Sequence, residues 1–384
     1  MTYEIGDFNQ YPTANSIAIG GILQDIHAHS RILVAPLNWG LGHATRCMPI
    51  IRALIREGFE PVLAGDGESL QLLRKEFPSL ESHELPAYRI RYPKTGRWLQ
   101  VKLAATLPRI LRVSAEEHRR VESMVSSLGL SGIISDNRFG AWSNRVPSVY
   151  VTHQLRVRSG PATPIATRLH QIVISRFNAC WVPDLEGRDS LAGELSDAGR
   201  NNAGIHYLGP QSRFRSGSGT KDIGITALLS GPEPQRGLLE NSLLKELQRF
   251  EGEAFLIRGV VGKERKEART GNLTLVNFLL QEELEELLNR SELVVARSGY
   301  STIMDLWALG AKPFFIPTPG QPEQEYLAER MREKGVAAYC RQKDLSLDRI
   351  LQGRQFPGFA NKKTPKTPLD TRIFDVFRKG KGLY

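Results

Sequence analysis

The chain has 384 residues, 41% of them hydrophobic and 24% charged, a balance that supplies two cores and excludes general disorder, collagen and a coiled coil. No run approaches the ~18 uncharged apolar residues that a membrane span requires; Ile223 to Leu229 and Pro313 to Pro317 stop within a few residues. The 51 Lys and Arg exceed the 41 Asp and Glu by ten, and the excess is local, with nine basic and two acidic residues between Tyr88 and Arg120.

That segment interleaves Arg89, Arg91, Lys94, Arg97, Lys102, Arg109, Arg112, Arg119 and Arg120 with Tyr88, Tyr92, Trp98, Leu99, Leu103, Leu107, Ile110 and Leu111. A solvated face, an anionic membrane surface and a phosphorylated substrate all suit such a patch. Nucleic acid does not, because no RNA-binding signature, zinc finger or basic zipper accompanies it. Cys47, Cys180 and Cys340 lie more than a hundred residues apart, which excludes a zinc knuckle or redox pair and points to a reducing cytoplasm. Residues 1–30 hold no Lys or Arg, which argues against a signal peptide and reads as a poorly ordered extension.

From Arg31 the chain alternates short β-branched runs with amphipathic stretches. Strands are expected at Arg31 to Pro36, Pro61 to Ala64, Gly132 to Ser135, Ser148 to Thr152 and Ala179 to Val182, with helices at Cys47 to Glu57 and Glu68 to Lys75. After Asp222 the pattern restarts, with strands at Ile223 to Ser230, Ala254 to Gly259, Leu273 to Val276, Leu293 to Ala296 and Pro313 to Ile316. Helices fall near Gly237 to Phe250, Glu282 to Asn289 and Ser301 to Leu309. Between the halves runs GPQSRFRSGSGT, Gly209 to Thr220, with the composition of a linker. The expected architecture is α/β: two doubly wound parallel-sheet domains, 31–208 and 221–356, facing a cleft, then a basic tail, 357–384. Ligands of such sheets bind beyond the carboxyl ends of the strands.

Four loops stand at strand ends. The first, Asn38-Trp39-Gly40-Leu41-Gly42-His43-Ala44-Thr45-Arg46, precedes a helix; Gly40 and Gly42 permit close approach to its N-terminus, where free N–H groups favour anions, and His43 is placed to move a proton. It is not a full dinucleotide fingerprint, and a capping loop histidine is the plainer alternative. Ser230 and Gly231 open the second half with a hydroxyl and N–H groups suited to phosphate oxygens. Arg297-Ser298-Gly299-Tyr300-Ser301-Thr302-Ile303-Met304-Asp305 puts hydroxyls and N–H groups at a helix start, with Asp305 one turn inside, where its carboxylate either accepts vicinal hydroxyls or compensates the dipole. Pro317 to Tyr326 carries Gln324 and Glu325, amide and carboxylate groups that can read sugar hydroxyls. Asp136 and Asn137, after the Gly132 to Ser135 strand, either face an acceptor or cap a turn. Asp184-Leu185-Glu186 reads as a helix start and not a magnesium site.

In this order, GxGHxxR, the Ser-Gly loop, RSGxxTxx(D/E) and P-x-x-x-Q-x-E-Q resemble the GT-B glycosyltransferases related to MurG, the GlcNAc transferase of peptidoglycan synthesis, over residues 31 to about 340. The resemblance implies a UDP-sugar, most often UDP-GlcNAc, on the C-terminal domain. It carries Ser230 and Gly231 to the diphosphate, Arg297, Ser298, Gly299 and Thr302 to phosphates or sugar, Asp305 to the ribose, and Gln324 to the donor sugar. Glu325 stands where the MurG pattern has a second glutamine. Gly40, Gly42 and His43 match the loop facing acceptor and diphosphate. The implied reaction is inverting, needs no metal or cofactor, uses His43 as base and takes an acceptor hydroxyl, lipid-linked if the basic patch docks on the inner membrane face. GxGHxxRC also resembles UDP-sugar hydrolases of pseudaminic acid synthesis; a UDP-GlcNAc 2-epimerase lacks support in the Arg297 segment, and a UDP-sugar-binding protein without turnover is the non-enzymatic alternative.

Overall fold

The computed structural model describes residues 30–88, 99–158, 160, 163–199, 203–217, 219–231, 233–262, 264–360 and 369–378. The first half runs β1 (Arg31–Pro36), α1 (Gly42–Arg56), β2 (Glu60–Gly65), α2 (Gly67–Glu76), β3 (Ser82–Glu84), α3 (Leu99–Ser127), β4 (Leu130–Asp136), β5 (Ser148–Val151), α4 (Thr163–Ile174), β6 (Ala179–Val182) and β7 (Ile205–Tyr207). Its seven strands are ordered β3-β2-β1-β4-β5-β6-β7, and every pairing is parallel.

The second half runs β8 (Ile223–Leu228), α5 (Gln235–Leu247), β9 (Ala254–Ile257), β10 (Glu267–Thr270), β11 (Leu273–Val276), α6 (Gln281–Arg290) and β12 (Ser291–Ala296). It continues with α7 (Tyr300–Leu309), β13 (Pro313–Phe315), α8 (Pro322–Glu333), β14 (Ala338–Tyr339), α9 (Leu347–Gln352) and, near the C-terminus, α10 (Asp375–Arg378). In the order β10-β11-β9-β8-β12-β13-β14 the run β11-β9-β8-β12-β13-β14 repeats β3-β2-β1-β4-β5-β6 of the first sheet, and the antiparallel strand β10 is added at the β11 edge. Central strands such as β1 and β12 are buried on both faces, as parallel strands covered by helices on two sides must be. In each sheet the order reverses beside the first strand, at β1/β4 and at β8/β12. These are the topological switch points, where the crevice forms.

Three expectations are corrected. The helix expected from Cys47 begins at Gly42, so Gly42 and His43 belong to its first turn; Thr45 N–H already bonds Leu41 O at 3.0 Å. The stretch Gly209 to Thr220 is packed in its first half: Gln211, Arg213 and Phe214 are buried, and Phe214 joins the core of the second domain. The tail is no free extension where it is described. Phe374 and Phe377 return to the first domain and pack edge-on to Phe59 and Trp181 at 5.9 to 6.4 Å, Phe377 covering the face of β4 that Gly132 leaves open.

The basic segment divides. Arg89, Arg91, Lys94, Arg97 and residues 1–29 lie outside the described residues, whereas α3 carries exposed Arg109, Arg112, Arg119 and Arg120. Tyr88 is buried, its hydroxyl donating to Glu117 at 2.6 Å. Ser114, Glu117, Val121 and Val125 form the buried face of α3 at helical spacing. No helix of the described residues is long and apolar enough to cross a membrane.

Candidate active site

At the first switch point, β4 ends on Asp136 and α1 starts at Gly42, so His43 and Arg46, three apart on one helical face, both reach the Asp136 carboxylate. Asp136 is fully buried and Arg46 nearly so. Arg46 Nε and Nη2 donate to the two carboxylate oxygens, and His43 Nδ1 lies 2.7 Å from Asp136 Oδ1. Arg46 Nη2 also sits 2.8 Å from His43 Nδ1, but one ring nitrogen cannot both donate to Asp136 and accept from Arg46. The carboxylate decides: burial alone would raise its pKa, yet Arg46 and His43 hold it well below the carboxylate range. An ionised oxygen at 2.7 Å requires a proton on Nδ1. Nε2 then keeps its lone pair, and no hydrogen bond occupies it among the described residues. Burial, followed by the Arg46 charge, pushes the His43 pKa down against the pull of Asp136, so the imidazole is neutral at pH 7. A neutral imidazole oriented by a carboxylate is a proton acceptor.

The cluster continues across the cleft. Arg46 Nη1 lies 3.1 Å from His153 Nδ1, and His153 Nε2 lies 2.8 Å from Glu323 Oε1, on the first turn of α8 in the other domain. Gln154 donates to the second oxygen of Glu323. His153 stacks on Tyr300, the first residue of α7, at 4.3 Å and 14°, and the Tyr300 hydroxyl bonds Pro183 O at 2.9 Å.

On the opposite wall, α7 starts after Gly299 with no side-chain cap, leaving the N–H groups of its first turn without intrahelical partners. Ser301 and Thr302 are half-buried there, and Ser230 and Gly231, half-buried too, lie at the other side of the same switch point. The two domains approach closely. A Cβ on Gly40, whose φ is +85°, would stand 3.6 Å from Gly231 Cα, and one on Gly42 would stand 2.9 Å from the Ser301 side chain. Both glycines therefore meet the other domain's loops. Asn137 follows Asp136 in the left-handed region at φ 56°, which turns the chain sharply out of β4.

Four residues expected to face the donor also bond the loops themselves. Arg297, 1% exposed, donates to Ile316 O, Pro317 O, Gln235 O and Gln342 Oε1 at 2.8 to 3.1 Å. Ser298 Oγ donates to Gln324 O at 2.7 Å, Gln324 Oε1 accepts from Thr318 N at 2.8 Å, and Glu325 Oε1 accepts from Gly320 N at 3.1 Å. Buried polar groups need such partners, so these side chains fix the walls that Gly299, Thr302, Ser230 and Gly231 line. Asp305 points inward, 8% exposed, and accepts from Ser212 Oγ at 2.6 Å. Its neighbour Arg213 is buried with Nε unpartnered and Nη1 3.6 Å from Glu76. Asp184 accepts from Leu185, Leu191 and Ala192 N–H and from the Ser190 and Ser196 hydroxyls at 2.6 to 3.1 Å, the chemistry of a loop organiser. Among the described residues no three His, Cys, Asp or Glu side chains are grouped to hold a metal ion.

Sequence reasoning missed Arg46, His153, Glu323 and Arg213. Arg46 stood three residues after His43, a spacing that shares a helix face. Arg213 was the one cation within the first half of an apparent linker. The partnership of His153 with Glu323 joins residues 170 positions apart, and no local pattern reveals it.

Residues 238–366 match the glycosyltransferase family 28 C-terminal domain. An uncharacterised glycosyltransferase of Methanopyrus kandleri is 23% identical over 79% of this chain and 90% of its own. The Haemophilus ducreyi UDP-N-acetylglucosamine--N-acetylmuramyl-(pentapeptide) pyrophosphoryl-undecaprenol N-acetylglucosamine transferase is 25% identical, over 58% of this chain and 61% of its own. Among solved structures, the spinosyn rhamnosyltransferase SpnG superposes with a TM-score of 0.59 at 16% identity, covering 86% of this chain and 93% of its own. MurG of Acinetobacter baumannii does so with 0.50 at 10% identity, covering 91% and 99%.

Proposed function

We propose that this chain, a MurG-like glycosyltransferase of the GT-B fold, moves a sugar, GlcNAc by preference, from a UDP-sugar to an acceptor hydroxyl, with inversion and without a metal. The observation that carries the reading is the neutral His43, held by Asp136 at the cleft, opposite an uncapped helix start. In this scheme the acceptor hydroxyl gives its proton to His43 Nε2 as its oxygen attacks the anomeric carbon. The bond to the diphosphate breaks on the opposite face, and a single displacement inverts the centre. Asp136 stabilises the imidazolium through Nδ1–H, as a fixed carboxylate beside a base does. The leaving diphosphate gains charge where the first turn of α7 and the Ser230–Gly231 loop present N–H groups and hydroxyls. Arg213 and Asp305, the latter on α7, are neighbours and suit a phosphate and the ribose hydroxyls once a donor draws them from their present partners.

A lipid-linked acceptor is supported by the surface of the first domain. On α4, Ile165, Leu169 and Ile172 are 68, 48 and 49% exposed at i, i+4 and i+7; on α3, Leu107 and Leu111 are exposed beside Arg109 and Arg112. Apolar stripes flanked by cations suit the headgroup boundary of an anionic, inner-face membrane. The relative from Haemophilus ducreyi names an undecaprenol-linked acceptor, which agrees with that chemistry.

The reading is tested with a panel of nucleotide sugars, following nucleotide release with and without a polyprenyl-diphosphate-linked acceptor. Fast release of UDP with free sugar and no acceptor would reassign the protein as a hydrolase. Binding without turnover of any donor would make it a sensor.

A further inference from the structure

The hydrogen bonds that run from His43 into the second domain have one consistent placement of protons. Arg46 can only donate, so His153 Nδ1 accepts from it, the His153 proton is on Nε2, and Nε2–H donates to Glu323. The Glu323 carboxylate stays ionised, because the His153 donor and the Arg46 charge hold its pKa down although burial, the largest effect, opposes them. A continuous path therefore joins Glu323, His153, Arg46, Asp136 and His43. Only its first member belongs to the second domain, and the His153 and Glu323 side chains are 7% and 18% exposed.

We propose that Glu323 is a positioning residue: from the donor domain, through His153 and Arg46, it adds a negative charge to the setting of His43 and so strengthens the base. The proposal rests on His43 being the base. Its physical content is a charge count. The groups around the imidazole are Arg46 and Cys47 on α1, Asp136 on β4, His153 after β5 and Glu323 on α8; Tyr300 of α7 lies against His153. Arg46 is offset by Asp136, and burial of the ring, the largest effect, disfavours a proton on His43. Glu323 adds one negative charge on the far side of Arg46 and raises the proton affinity of His43 against that burial. A base of higher affinity takes a hydroxyl proton more readily. The segment Pro317 to Tyr326 is held against the first domain through the Tyr326 hydroxyl, which accepts from Glu194 N at 3.0 Å. Base strength is thereby tied to a residue on the donor side.

The test is a histidine-selective NMR titration of His43, assigned with His43→Gln, in the full-length protein saturated with UDP. Wild type, Glu323→Gln, Glu323→Ala, Glu323→Asp and His153→Leu are compared. An opposite charge at ~4–6 Å moves a pKa by about 1–3 units; with Glu323 one residue further out, Glu323→Gln should lower the His43 midpoint by about half a unit. Glu323→Asp keeps the charge and should leave the midpoint near that of wild type. Glu323→Ala removes the same charge and should lower it as Glu323→Gln does, which keeps the test open if one variant does not fold, whereas His153→Leu leaves that charge in place and should not lower it. An unmoved midpoint in a folded Glu323→Gln or Glu323→Ala protein overturns the proposal, as does an equal shift in Glu323→Asp or His153→Leu. Failure of the base reading would show separately, as full activity of His43→Ala.

Discussion

Asp305 offers a prediction in which stability and binding move in opposite directions. Its carboxyl lies in α7 with Ser212 Oγ donating at 2.6 Å and Arg213 nearby, and burial outweighs both, pushing its pKa from 3.8 to about 6. Two units at ~1.4 kcal/mol each make ionisation cost the free protein about 3 kcal/mol. The sign is that of a raised acid: folding binds its proton more tightly, so the contribution is complete below pH 3.8 and lost as pH rises through about 6. Asn keeps the shape and still accepts from Ser212 without the charge. Asp305→Asn should therefore stabilise the nucleotide-free protein by about 1–3 kcal/mol at pH 8 and by little near pH 4.5, read from urea unfolding at both pH values. The same change should weaken UDP binding by about 1.5–3 kcal/mol in calorimetry, the worth of charged hydrogen bonds to ribose. Destabilisation at pH 8, or a difference independent of pH, would show that Arg213 fully compensates the carboxylate. Unchanged UDP affinity would remove Asp305 from the donor site.

His43→Ala should lower turnover by about 10²- to 10⁴-fold with UDP affinity nearly intact, and the acid limb of wild-type kcat/KM should lie below the ordinary histidine value because the His43 pKa is lowered. Asp136→Asn strands the buried Arg46 charge and should cost about 3–5 kcal/mol in unfolding, as well as releasing the His43 tautomer. Gly42→Ala should leave the melting temperature unchanged or raise it, since Ala favours helix by up to ~1 kcal/mol. Its methyl would meet Ser301 2.9 Å away in the closed form, so kcat/KM should fall and Ser301→Gly in the same chain should restore it. Binding to anionic vesicles should weaken as the Debye length shrinks below ~10 Å above 0.1 M salt, and weaken further when Ile165, Leu169 and Ile172 become Ser.

The inner strands were legible because buried strands write themselves as short apolar runs: Ala179–Val182 and Leu273–Val276 have the expected bounds. Strands without that signature were not legible. Glu267–Thr270 is exposed along its whole length and Ile205–Tyr207 is an edge. The Leu99–Ser127 helix was hidden by its charges, although Ser114, Glu117, Val121 and Val125 mark its buried stripe. In the site, the loops were readable as glycines and hydroxyls at strand ends, but sequence cannot say which polar groups a loop consumes on itself. Ser298 donates to the Gln324 carbonyl and the Gln324 side chain accepts from Thr318 of its own segment, while Gly299 and Thr302, equally anonymous in sequence, stay open. The Arg46 cluster depends on two domains meeting, and its cross-domain members are separated by 170 residues.

The claim that this protein transfers sugar with His43 as base is tested most directly by one measurement. UDP release from UDP-GlcNAc is followed in wild type and His43→Ala, with and without a polyprenyl-diphosphate-linked acceptor. The account predicts release in wild type only when the acceptor is present, with the sugar recovered on the acceptor, and almost none in the variant. Equal release as free GlcNAc without acceptor, or an undiminished rate in His43→Ala, would contradict it.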